Sequence, residues 1–132
     1  MGRSKADLGI SIQNSGQVSN VRLLGRLDRY SVEQLEVAIS KLLAGESMPQ
    51  AVVLECHNLE MIDASGVALL IALMVRCGGV DVRLKVTHAS EEACEMMSSL
   101  DVGVIFERLS TLYGLEVKRR KVEETLRKVK GG

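Results

Sequence analysis

Apolar and polar positions recur along the chain with periods that assign most of its elements. Leu8, Ile10 and Ile12 alternate with Gly9, Ser11 and Gln13, the two-residue period of a half-buried strand. Asn14 to Gly16 read as a turn and Val18 to Leu24 as a second strand with Val21 and Leu23 on one face, so the two form a hairpin. The loop GRLDRY, Gly25 to Tyr30, follows. Ser31 opens a helix, with Gln34 three residues on in the pattern of a capping box, and Val32, Leu35, Ile39, Leu42 and Leu43 give it one apolar face that ends near Gly45.

The densest apolar stretch is Ala51 to Cys77. Ala51 to Leu54 is a short unbroken run led by valines, the signature of a strand buried on both faces. His57 to Glu60 is polar enough to be a connection. Asp63, Ala64, Ser65 and Gly66 then introduce Val67 to Val75, which holds no polar residue and is too long for a typical strand. A helix apolar on every side is a buried helix. Ser65 is therefore expected at the exposed N-terminal edge of a core helix.

Gly78 and Gly79 release the chain into Val80 to Val86, where valines and Leu84 alternate with Asp81, Arg83 and Lys85 as in a strand with one wet face. Ser90 is the N-cap of a further helix whose buried stripe is Ala93, Met97 and Leu100, with Glu91 and Glu92 at the positive end of its dipole. Val104 to Phe106 reads as a short last strand. Leu115, Val122, Leu126 and Val129 form a narrow seam on a basic amphipathic helix, which either packs on the domain or faces a partner. This order predicts an α/β fold: a mixed, mostly parallel sheet of four to five strands with helices packed on it, spanning residues 6–114, and a basic amphipathic extension over 115–132.

Composition narrows the function classes. A chain of 132 residues that is 46% hydrophobic builds one domain with one core. Two tyrosines, one phenylalanine and no tryptophan leave little to stack on bases, so no direct nucleic-acid contact is expected. Residues 1–116 hold 10 of the 17 Lys and Arg and 15 of the 17 Asp and Glu, so an acidic body carries a basic tail. Cys56, Cys77 and Cys94 are odd in number, widely spaced and set among apolar neighbours, as packed, reduced thiols of a cytoplasmic protein are. Neither CxxC nor a paired-histidine spacing occurs, so neither a metal nor another cofactor is expected, and no run has membrane-spanning length. His57 and His88 fall in separate loops and form no ligand cluster.

Two short segments carry a resemblance. Val52 to Gly66, VVLECHNLEMIDASG, is similar to the signature of STAS domains, the anti-sigma factor antagonist (anti-anti-sigma factor) family, in which a buried strand leads to an Asp, Ser/Ala/Thr, Ser, Gly turn. GRLD at Gly25 to Asp28 resembles that family's second motif. Both stand in register, along roughly residues 8–112. The resemblance implies a STAS-like single domain in which Ser65 is phosphorylated by an anti-sigma factor serine kinase of the GHKL type. It further implies that Asp28, Asp63, Ala64 and Gly66 lie on the face that docks this kinase, and it allows a serine phosphatase as a second partner. Glu55 stands where Asp is commoner, Asn58 where Gly is frequent, and Ala64 where the family often has another Ser.

The chemistry suits these residues. Free backbone donors and the dipole at a helix start accept a phosphoryl group, so a fold survives phosphorylation there. A contact does not, because a charge of about −1.5 to −2 arrives beside Asp63 on a surface that a partner must desolvate. Each residue also has a purely structural reading. Ser65 can be a helix cap, Asp28 an acid at a helix start, Asp63 an acceptor for the turn, and Gly66 a place of close approach. The expected function is a phosphorylation-switched antagonist that frees a sigma factor; the alternative is a constitutive STAS subunit of a stressosome-like scaffold or a lipid-transport complex. An enzyme with a Ser65 nucleophile is not expected, since no GxSxG elbow or placed base accompanies it.

Overall fold

The computed structural model describes residues 8–87 and 89–130; His88, and residues 6 and 7 at the start of the expected domain, lie outside them. Strands β1 (Leu8–Ser15) and β2 (Val18–Leu27) pair antiparallel as the expected hairpin, and Gly16 at φ +64° makes the turn. Then follow helix α1 (Val32–Ala44), strands β3 (Ala51–Glu55) and β4 (Leu59–Ile62), helix α2 (Ala64–Gly78), strand β5 (Arg83–Val86), and helices α3 (Glu91–Met97), α4 (Val102–Tyr113) and α5 (Arg119–Lys130). The sheet runs β1-β2-β3-β5, with β4 also beside β2. All pairings except β1 with β2 are parallel, so this is the mixed, mostly parallel α/β sheet that the hydrophobic pattern demands.

One glycine makes this topology possible. The first half of β2, Val18 to Arg22, pairs with β3, and its second half, Gly25 to Leu27, pairs with β4. The register shifts between Gly25 and Arg26, where Gly25 sits at φ +100°. A side chain there would be strained, and a bulge at glycine lets one strand change neighbours.

Helix α2 is the buried helix that its composition predicts. Every residue from Ser65 to Leu73 is buried, against α1, α4, α5 and β5. One core joins the sheet and all five helices, and it includes the tail: Val122, Leu126 and Val129 are buried, and the Val129 carbonyl accepts the Ala89 N–H at 2.9 Å. The seam therefore packs on the domain as its last helix.

The structure corrects four local expectations. Residues 59–62 are strand β4, whose first two residues fall in the expected connection His57 to Glu60; within the strand only Leu59 and Ile62 are buried, a spacing of three that hides its period. Val104 to Phe106 is not a strand but lies within α4, which Asp101 caps by accepting the Gly103 N–H at 2.8 Å and which Gly114 ends in the left-handed conformation. β5 begins at Arg83 rather than Val80, because Asp81 at φ +61° turns the chain first. Ser31 makes no side-chain cap to α1; its hydroxyl turns back into the preceding loop, donating to the Arg26 carbonyl at 2.8 Å and accepting the Asp28 N–H at 3.0 Å.

Candidate functional site

The start of α2 is built by Asp63. Its Oδ1 accepts the Gly66 N–H at 2.9 Å, as an N-cap does, and its Oδ2 accepts the Arg29 N–H at 3.3 Å. One carboxylate thus ties the helix start to the loop after β2, and the two sequence motifs become one site. The Asp63 N–H itself donates to the Leu27 carbonyl at 3.2 Å, which seats the cap on the end of β2. Gly66 is what lets α2 come that close. A Cβ on it would lie 2.4 Å from the Leu27 carbonyl oxygen and 2.8 Å from Ile62 Cγ1.

Asp28 points inward. Asp28 is only 7% exposed; its carboxylate accepts the Tyr30 N–H at 3.0 Å and lies 3.3 Å from the Ser31 hydroxyl, while its carbonyl accepts the N–H groups of Ser31 and Val32. This is an acid that shapes a helix start, and it holds its neighbours outward. Tyr30 is 71% exposed, and the Arg29 guanidinium lies 4.7 Å from its ring centroid and donates to its hydroxyl. Ala64 and Asp63 are half-buried beside them.

The serine is where the sequence placed it along the chain but not where it was expected in depth. Ser65 is 2% exposed instead of lying at an exposed edge; α2 packs against α4, whose Arg108, Leu112 and Tyr113 line one cleft with it. What it faces is an open cleft of about 420 Å³ lined by Arg29, Val32, Glu33, Glu36, Ser65, Arg108, Leu112 and Tyr113. Glu36 is paired with Arg76 at 3.3 Å. Burial raises the Tyr113 phenol above its usual pKa, with the charges of Glu36 and Asp63 adding to the rise and Arg76 opposing it. Arg108 Nε is buried without a hydrogen-bond partner.

The residues of the turn are legible in the sequence; the walls of the cleft are not. Arg29 and Tyr30 stand inside the loop GRLDRY, where a bulky aromatic next to an arginine is the available signal. Arg108 and Tyr113 had no such signal once residues 104–106 were read as a strand. Glu55, the lengthened acid, lies opposite Arg22 in the β2–β3 register and pairs with it at 3.3 Å near the surface, away from the cleft. Among the described residues, no group of three or more His, Cys, Asp or Glu side chains gathers as a metal site, and no helix is long and apolar enough to cross a membrane.

A family model described as "Mlab, STAS domain" matches residues 10–110. Similar solved structures include the anti-sigma factor antagonist SpoIIAA in its unphosphorylated form, 20% identical with a TM-score of 0.57, covering 90% of this chain and 96% of that one. An anti-sigma factor antagonist from Mycobacterium paratuberculosis is 21% identical with a TM-score of 0.57, covering 95% and 99%. The Bacillus cell fate determinant SpoIIAA in its phosphorylated form is 19% identical with a TM-score of 0.54, covering 88% and 97%. At about one identical residue in five, the likeness is one of fold. No curated protein matches the chain.

Proposed function

The chain belongs to the STAS domain family, and from its site we propose that the protein is an anti-sigma factor antagonist of the cytoplasm, a binding module switched by phosphorylation of Ser65. The observation that carries this reading is the shared carboxylate of Asp63, which joins the Ser65 turn to the exposed Arg29–Tyr30 loop in one continuous face. Unphosphorylated, that face docks a serine kinase of the GHKL type, the anti-sigma factor, and the sigma factor is freed to direct transcription. In the kinase reaction the γ-phosphoryl of ATP passes to Ser65 Oγ, the hydroxyl proton leaves and ADP is released. The dianion then opposes desolvation of the face. A penalty of about 2.8 kcal/mol weakens docking roughly 100-fold. A serine phosphatase restores the docking form. The domain performs no catalysis in this reading.

A second reading has its own support. The matching model carries the Mlab description, and a serine only 2% exposed suits a constitutive subunit of a lipid-transport complex or a scaffold better than it suits a kinase substrate. One experiment separates the two. Wild type and Ser65→Ala are incubated with ATP and the GHKL kinase encoded nearest the gene, and intact mass is measured. Affinities of Ser65→Ala and Ser65→Asp for that kinase follow, each variant first checked for a native melting transition. One phosphate on wild type alone, with docking kept by Ala and lost by Asp, is the expected result. No phosphate, equal affinities and stable co-purification in a large assembly would replace the switch with the subunit.

A further inference from the structure

The Ser65 cleft holds more positive charge than a serine hydroxyl requires. Arg108 reaches it from α4, and its Nε is buried with no hydrogen-bond partner. A buried guanidinium N–H left unbonded costs about 1–3 kcal/mol, and native structures seldom leave one without a use. Arg29 lines the cleft from an exposed position, where its guanidinium meets the Tyr30 side chain and also feels the charges of Asp63 and Asp28. Ser65 is the second residue of the 15-residue helix α2, so its side chain stands among the free N–H groups of that helix start. The cleft's 420 Å³ accommodates a phosphoryl group and several waters at about 30 Å³ each.

Resting on the reading of Ser65 as the modified residue, we propose that this cleft is a phosphoserine clamp: the phosphoryl group on Ser65 is received inside the domain by the Arg108 fork and by Arg29, tying α4 to the start of α2. Guanidinium and phosphate match in planar, bidentate geometry, which makes arginine the residue for such a site. Phosphorylation would then do two things at once. It adds charge to the docking face, and it draws Arg29, an exposed part of that face, inward.

The surrounding acids make the clamp testable by sign. Glu33 and Glu36 from α1 line the same space, with Arg76 pairing Glu36 and the Tyr113 phenol on the α4 side; the charge of Asp63 bears on Tyr113 and Arg29, and that of Asp28 on Arg29. Acids alone would hold the second ionisation of a phosphoserine above its usual value of about 6; a clamp holds it below. The full chain is made with phosphoserine installed at position 65 during translation, and its 31P shift is titrated in the wild type, in Arg108→Gln and in Arg29→Gln, with the same protein unfolded in urea as the reference.

The expected result is a native value about one unit below the reference, a tenfold change in proton affinity, which rises by at least half of that in Arg108→Gln and by less in Arg29→Gln. A native value at or above the reference, or one that neither substitution moves, overturns the clamp. So does a phosphoprotein that is unfolded where Ser65→Ala is folded. Arg29 is exposed, so its variant keeps the test alive even if Arg108→Gln fails to fold. Neither kinase nor partner enters this titration. Failure here leaves the switch standing, whereas a chain that no kinase modifies overturns the switch and leaves this titration to be read on its own, so the two failures are distinguishable.

Discussion

Replacing Gly66 by alanine tests whether the site rests on close approach of α2 to β2 or on the glycine's place in a contact face. The added methyl would lie 2.4 Å from the Leu27 carbonyl oxygen, below the 3.0 Å that real Cβ contacts keep, and 2.8 Å from Ile62 Cγ1. Leu27 is backbone of a central strand and cannot yield as a side-chain tip would. Helix α2 must therefore withdraw. Overpacking of this kind costs about 1–3 kcal/mol. The same carbonyl accepts the Asp63 N–H at 3.2 Å, a bond worth about 1 kcal/mol that the withdrawal lengthens. Against this stands the helix preference for alanine over glycine, about 1 kcal/mol in the other direction. The net is a loss of about 2 kcal/mol, or roughly 7 °C in melting temperature for a domain of this size. Urea unfolding and thermal melting followed by circular dichroism measure it. The sign decides the matter: if Gly66→Ala is as stable as the wild type or more so, the helix preference is unopposed and the close-approach argument is wrong.

Other outcomes are as definite. Burial pushes the Cys56 thiol up to about 12 from an ordinary 9.0, so the folded state holds a proton that the unfolded state sheds above pH 9. Stability present below pH 9 is lost as pH rises toward 12, and the stability difference between wild type and Cys56→Ala narrows by about 1.4 kcal/mol between pH 8 and pH 10 in urea titrations; an unchanged difference would show a solvated thiol. Leu126→Ala lowers stability by about 2 kcal/mol, because the tail seam is core, whereas a tail facing a partner would leave the melting temperature alone. Gly114→Ala costs about 1–2 kcal/mol in the same melts, since Gly114 at φ +61° ends α4 with its N–H on the Ser110 carbonyl and the Leu115 N–H on that of Leu109.

The fold was legible wherever local pattern and tertiary role agree. Val21 and Leu23 alternate because one face of β2 is core, and the run through Leu73 is unbroken because α2 is enclosed. Legibility failed where a partner far along the chain decides. Leu59–Ile62 becomes a strand only because Gly25 lets β2 turn to it. Val104 to Phe106 looks like a strand by its β-branched residues, yet Ile105 and Leu109 are the buried positions, one helical turn apart, and Asp101 and Gly114 cap the ends. The site divides in the same way. Asp63, Ala64, Ser65 and Gly66 could be found from a helix start, and Asp28 from its loop. The cleft that Ser65 lines could not, because α4, some forty residues later in the chain, supplies one of its walls.

The change of neighbours at Gly25 also sets the order in which the molecule can come into being. Asp63 can cap α2 on the Leu27 carbonyl only after β2 has shifted register and paired with β4, and both pairings of β2 are parallel, non-local and therefore slow to form. The amide proton of Asp63 should accordingly exchange only when the whole domain opens. On the ribosome, Ser65 has no capped helix start to occupy until residues 25 to 66 have emerged and paired. The proposed kinase would accordingly meet this turn in its capped form only on chains in which β2 and β4 had already paired.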